Sequence, residues 1–383
     1  MNHQGVAYRC IDRIPLRMLT SVFAIAFVCF LSGCSTPLYV AKLGWGQAGI
    51  LLHSKPNQTV LNDPTVKESV KEKIRLVIEA KTYGEEQIGL AETSSFSRFY
   101  QVEGPSLLYL VSASPRDRLE PYQWWFPITG RVTAKGFFRY EDALREADRL
   151  ERRGFDIFLQ GAQAYSTLGW FKDPIFSTML RQDPALIVNV VIHELTHATV
   201  FFKNQLDFNE QLASFVGGQG AIDFVETKFG PGSVYERRAT GLLEDGVLFA
   251  GFMKGVHHRL DEFYSGPGLL SEKLRGREAV FRQVKTEFET LKGQLKTDFY
   301  EGFEAIDLNN AVVLALGRYV ANIEQIQRVY ETLDRDLKRT VAFFVRIRKR
   351  GVTDPQGYVA GWLREKESED SVSRKDGPGS TRQ

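Results

Sequence analysis

One stretch limits what this chain can fold into more than any other: Val190, Val191, Ile192, His193, Glu194, Leu195, Thr196, His197. Its apolar residues predict a helix buried in a core. A helix of 3.6 residues per turn sets His193 and His197 one turn apart on the same face. Two imidazoles so spaced can hold one Zn²⁺ from one side, at roughly 2.0–2.1 Å each. Glu194 stands beside them, where a carboxylate can accept the proton of an ion-activated water. Flanked by Leu186, Ile187 and Val188, these polar groups are costly unless paired or bound to metal. The fold must therefore bury this helix and still bring a partner to its polar face.

A zinc site with an open position needs a third protein ligand. Cysteine does not supply it, because Cys10, Cys29 and Cys34 all lie near the N-terminus and form no Cys-x-x-Cys pair. Among the six histidines, the adjacent His257 and His258 read as surface residues or neighbours of a site. The candidate is Glu210, separated from His197 by 12 residues. Ala213, Gly217 and Ala221 follow it at three- or four-residue steps, giving a small-sided helix face that can approach the first helix closely. The run Asp207, Phe208, Asn209, Glu210 also fits an acidic N-cap with Glu at the third position. Glu226 and Glu236 are reserve ligands.

At 383 residues, 43% hydrophobic and 25% charged, the chain is of ordinary globular composition and long enough for a substantial core. Its net charge of +2 is accounted for by Arg9, Arg13 and Arg17 against Asp12. No basic domain or basic-aromatic repeat is present, which excludes nucleic acid as a partner.

Those arginines open a processing segment, residues 1–33, that stands outside the fold. Residues 19–31 are nearly all apolar but fall short of the roughly 20 residues of a comfortable membrane span. The segment ends in Leu31, Ser32, Gly33, Cys34, a sequence that resembles the bacterial lipobox, with Cys34 the lipidated residue. An ordinary signal peptide or an uncleaved anchor is the alternative. Ser35 follows in place of an Asp that would retain the protein at the inner membrane. The expectation is a lipid-anchored envelope protein, held to the membrane through Cys34 and placed on the outer membrane facing the periplasm.

After Cys34, helical spacing appears over 38–54 and 64–92, the latter with Lys and Glu alternating on a solvated face. From 105 to 140 the pattern changes to short extended runs. A charged helix over 141–153 follows, then strands at 155–159 and 164–171. The last of these is a candidate edge strand for pairing with extended peptide. Helices are predicted at 184–203, from 207 to 229, and over 233–264, 269–303, 308–320 and 322–350. Residues 366–383 lack apolar side chains and read as a disordered polar tail. The organisation is a leader (1–33), one domain (34–365) and the tail. Within the domain, 34–100 is a helical N-terminal part, 101–230 holds the sheet and the metal-site helices, and 231–365 is helical. The fold class is α+β, zincin-like, a small mixed sheet preceding the His-Glu-x-x-His helix, with a mostly helical C-terminal half.

His193-Glu194-x-x-His197 followed by Asn209-Glu210-x-x-Ala213 resembles the gluzincin metallopeptidases, whose third ligand is Glu. The chain is more closely similar to a bacterial family of predicted zinc aminopeptidases. The shared motifs are Gly46-Gln47, Trp125-Phe126-Pro127-Ile128-x-Gly130, residues 165–171 (Tyr-Ser-Thr-Leu-Gly-Trp-Phe), Asp173-Pro174 and Leu308-Asn309-Asn310-Ala311. The likeness spans roughly residues 38–345. It implies Zn²⁺ at His193, His197 and Glu210, with Glu194 catalytic and a peptide or polypeptide substrate. Two departures stand out: a shorter spacer before Glu210 than in the large aminopeptidases, and no Gly-x-Met-Glu-Asn motif to hold a substrate's free amine. A peptidase also needs a donor for the tetrahedral oxyanion, and Tyr319 is the candidate. The reading is a zinc-dependent peptidase, an aminopeptidase in the first place, with an envelope endopeptidase as the alternative within enzymes. Outside enzymes, the alternative is a polypeptide-binding lipoprotein with a structural zinc site.

Overall fold

The computed structural model describes residues 36–126, 130–162, 173–317 and 323–375. Residues 1–33, expected to be a leader, Cys34, the candidate edge strand at 165–171 and Tyr319 lie outside these residues. The chain divides into two units, one ending at Gly49 and one starting at Ile50. The described part of the first is most of helix α1 (Thr36–His53). Lys42 is its only charged residue, and Leu38 and Trp45 are exposed.

In the second unit, β1 (Lys55–Pro56) and α2 (Asn57–Asn62) lead to α3 (Glu68–Tyr83). Ile74, Val77 and Ala80 recur at three-residue steps on α3 and are fully buried, as an amphipathic period requires. The helix continues as a π turn, Gly84–Ile88, and stops where Gly89 takes φ 78°, a left-handed conformation that glycine adopts without strain. The Lys/Glu face of α3 is more than a solvated surface, because Lys73 Nζ donates to Leu180 O and Gln182 O, each at 2.8 Å.

Strands β2 (Arg98–Tyr100), β3 (Leu108–Pro115), β4 (Trp124–Phe126), β5 (Gly130–Val132), β6 (Lys135–Phe137), β7 (Phe155–Ala162) and β8 (Ile175–Phe176) follow, with α4 (Tyr140–Glu151) between β6 and β7. Where one small mixed sheet is expected, the described residues form three. The mixed one, β1–β2–β8, pairs β2 antiparallel to β1 and parallel to β8. It draws on residues before 101, so the N-terminal part is not purely helical. The larger sheet, β6–β3–β7, is antiparallel throughout, and β3 pairs β7 from Leu108↔Ala162 to Pro115↔Phe155. α4 covers it with Ala143, Ala147 and Leu150 buried. β4 and β5 make a separate hairpin.

The rest is helical: α5 (Pro184–Thr199), α6 (Leu206–Phe229), α7 (Val234–Ser265), α8 (Leu270–Lys292), α9 (Asn310–Gly317), α10 (Ile323–Thr332), α11 (Leu337–Lys349) and α12 (Pro355–Lys375). Several starts are fixed by side chains that accept a free backbone N–H of the first turn. Asp183 accepts from Leu186, Ser233 from Glu236, and Asp336 from Arg339. The expected helical stretch 322–350 breaks in two where Asp334 and Arg335 both take positive φ. Helix α12 runs through Lys375, well into the stretch expected to be a disordered tail. Charge pairs act there in place of apolar contacts, Lys366 with Glu369 and Glu367 with Arg328 of α10.

Leu308-Asn309-Asn310-Ala311 joins sheet to helices. Asn310 is fully buried; its side-chain amide donates to Pro115 O at 2.9 Å and its oxygen accepts from Tyr264 OH at 2.8 Å. Asn309 donates to Ile157 O at 3.0 Å.

Candidate metal centre

Helix α5 carries His193, Glu194 and His197, and its opposite face enters the core through Ile187, Val188, Val191, Ile192 and Leu195. Asp183 caps it, with Pro184 at the first helical position, where a missing N–H costs nothing. Helix α6 packs along it and brings Glu210 to the two imidazoles. An added Cβ at Gly217 would stand 2.9 Å from Asn189 O and 3.1 Å from His193 Cβ. At Gly220 it would meet Ile88 Cδ1 at 2.8 Å and Ile192 Cδ1 at 3.0 Å. The small-sided face of α6 is thus the condition for this approach.

His193 Nε2 and His197 Nε2 are 3.1 Å apart, with their rings edge to face at 83°. Glu210 Oε2 lies 3.5 Å from His193 Nε2, and Oε1 lies 3.5 Å from His197 Nε2. All three donor atoms fall within 4.8 Å of one another, a grouping that could hold a metal ion. His197 is 7% exposed. Its Nδ1 is buried with no partner among the described residues, a departure from the usual pattern in which a ligating imidazole donates its second N–H.

Glu210 and His197 each favour the other's charged form. Burial pushes the Glu210 carboxyl up, but its bonds to His193 and His197 outweigh that and hold it well below the usual carboxylate range. Burial works against the charged His197 imidazole, yet the bond to Glu210 and the nearby Glu194 raise it above its ordinary value.

Glu210 sits inside the second turn of α6 facing the histidines, so capping is not its role; the helix starts after Gln205 without a side-chain cap. Its neighbour Asn209, 1% exposed, receives Phe202 N–H on Oδ1 and donates through Nδ2 to Phe202 O, each at 2.8 Å. This locks the α5–α6 loop to the turn that carries Glu210. Glu226, His257 and His258 are exposed, His258 pairing with Glu262 at 3.3 Å. Glu236 accepts from Thr240. None of these joins the cluster.

Glu194 borders a small hollow lined by Thr93, Ser95, Phe96, Asp173, Leu195 and Ala198. The 91–96 segment is fastened there: Ala91 N–H donates to Thr199 Oγ1 at 2.9 Å and Thr93 N–H to Glu85 at 3.0 Å. Phe96 takes φ 60°, unusual for a bulky residue. It is held by Asn57, which donates to its carbonyl at 2.8 Å, and by its own N–H to Asp173 O. Sequence reasoning assigned these residues no place at the site. Asp173-Pro174 as a motif was the one available signal, since the segment's distance from α5 along the chain hides the rest.

Two histidines and a carboxylate on packed helices, with a second carboxylate alongside, define a candidate metal site with a potential base. The chain belongs to the family described as "Putative aminopeptidase", whose model matches residues 38–353. That family suggests a peptidase acting on peptide substrates. No curated protein and no solved structure matches the chain.

Proposed function

We propose that the chain is a zinc-dependent aminopeptidase of the gluzincin kind with a zincin-like fold, attached to the cell envelope through lipid on Cys34. One observation carries the hydrolytic reading: His193, His197 and Glu210 converge with donor atoms within 4.8 Å. A tetrahedral ion bound at roughly 2.0–2.1 Å separates its ligand atoms by about 3.4 Å. Here the two Nε2 atoms are 3.1 Å apart and Glu210 sets a different oxygen 3.5 Å from each, Oε2 from His193 and Oε1 from His197, so a carboxylate oxygen and the two nitrogens can gather round one ion such as zinc.

Zinc there would supply a Lewis acid, polarising the peptide carbonyl and lowering the pKa of a water towards about 7. Glu210 and the two imidazoles would hold the ion. Glu194 accepts the water's proton as the water oxygen attacks the carbonyl carbon. It then delivers that proton to the departing amine as the C–N bond breaks. Burial of α5 keeps these groups in place before substrate arrives. Tyr319 is assigned the oxyanion donor role.

The test compares wild type with Glu194→Gln by metal analysis and a fluorogenic peptide screen. Both should carry zinc, and the variant should lose turnover by a factor on the order of 10²–10⁴. Stepwise N-terminal products from one defined peptide would support the exopeptidase reading. Equal inertness of two zinc-loaded proteins would overturn the peptidase reading.

A further inference from the structure

Helix α1 follows Cys34 directly, beginning at Thr36. Leu38, Ala41, Trp45 and Ala48 are all exposed, Leu38 at 58% and Trp45 at 83%. At 100° per residue these four fall within an arc of about 80°. They are spaced 3, 4 and 3 residues apart, the period of a single helix face. Lys42 is the only charged residue from Thr36 to Gly49. A surface indole among leucine and alanine, with Lys42 the one charge beside it, is a face that lacks a partner among the described residues.

The chain before it names that partner. Residues 19–31 are almost wholly apolar and Cys34 ends the lipobox-like sequence. Whether that segment stays as an anchor or gives way to lipid on Cys34, the residues just before Thr36 come to lie at a bilayer surface. The first turns of α1 then lie within a few ångströms of the headgroups. No helix among the described residues is long and apolar enough to cross a membrane. A helix in that position either stands off in water or lies along the interface, where an apolar face sinks about 5–10 Å into the headgroup–acyl boundary. Tryptophan suits that depth, with an apolar ring body and one polar N–H.

We infer that Leu38, Ala41, Trp45 and Ala48 form a membrane-contact face, and that α1 lies on the lipid surface to which the N-terminus is attached. This rests on the proposed membrane attachment and is independent of the peptidase chemistry. With one cation in the segment, contact comes from apolar burial, so it should persist on uncharged lipid and at high salt.

The experiment uses the full chain, extracted from membranes and returned to phosphatidylcholine vesicles, with flotation reporting attachment. The difference in emission between wild type and Trp45→Phe isolates Trp45; exposed as it is, the substitution removes no core contact. Trp125→Phe controls for the other indole that is exposed among the described residues. The expected result is a blue-shifted Trp45 component that loses most of its intensity on acyl-brominated phosphatidylcholine and resists aqueous iodide. A floating protein whose Trp45 is quenched by iodide and spared by bromine overturns the inference while leaving attachment intact. Protection from both quenchers means that protein covers the face, a second copy or another chain, and overturns it too. Failure to float removes attachment and inference together, while peptidase assays remain unaffected.

Discussion

Arg277 grips both carboxylate oxygens of Asp156, with Nη1 2.6 Å from Oδ2 and Nη2 2.9 Å from Oδ1. Both side chains are buried, and the pair ties α8 to β7. The same carboxylate accepts Asn310 N–H at 3.1 Å, so one anion organises the joint between the antiparallel sheet and two helices, α8 and α9. Removing Arg277 leaves this buried carboxylate with only the half-exposed Arg116, whose Nε lies 3.4 Å from Oδ1. Arg277→Leu should therefore cost about 3–5 kcal/mol in urea unfolding. Pairing it with Asp156→Leu should recover part of that loss, which a role confined to packing would not produce.

Gly217 and Gly220 separate two kinds of close contact. An added methyl at Gly217 presses on the backbone of Asn189 and on His193, the rigid side of the cluster. Gly217→Ala should cost about 1–3 kcal/mol and weaken metal binding as α6 moves away from His193. At Gly220 the obstacles are the ends of Ile88 and Ile192, which can turn. Gly220→Ala should destabilise less and leave metal affinity near wild type, as read by chelator competition.

The metal-free protein should show a two-sided pH dependence that comes from the cluster. Glu210 is depressed in the folded state, so its contribution is present above the ordinary carboxylate value of about 4.5 and is lost as pH falls. His197 is raised, so its contribution is complete below its ordinary value of about 6.5 and is lost as pH rises through the folded value. Urea unfolding of wild type and Glu210→Gln from about pH 3 to about pH 9 tests this. The stability difference should be largest in the middle and shrink at both ends.

Asn209 predicts a loss that charge alone does not explain. Asn209→Ala leaves the buried N–H of Phe202 without its partner, costing about 1–3 kcal/mol, while the Phe202 carbonyl keeps Gln205 N–H at 3.2 Å. Asn209→Asp keeps an acceptor for Phe202 N–H but sets a carboxylate oxygen against Phe202 O. Both variants should lower melting temperature and zinc affinity, since Glu210 is the next residue on the loosened turn.

Much of this was legible before any coordinates. Helix α5, with Pro184 at its start, and the small face of α6 follow from residues within one or two turns of each other. The α10–α11 break was not legible, because Asp334 and Arg335 carry no glycine or proline signal for positive φ. Nor was α12's extension, whose support includes Arg328 on another helix.

By itself the sequence determined the two imidazoles on one helix face and the carboxylate between them, because helical period alone fixes neighbours three and four residues apart. It left Glu210 between ligand and cap. Only the tertiary structure decided that Glu210 faces both Nε2 atoms, and that Thr93, Ser95, Phe96 and Asp173 border Glu194. Those contacts join segments far apart in the chain, and they depend on how closely α5 and α6 can pack, which no local pattern specifies.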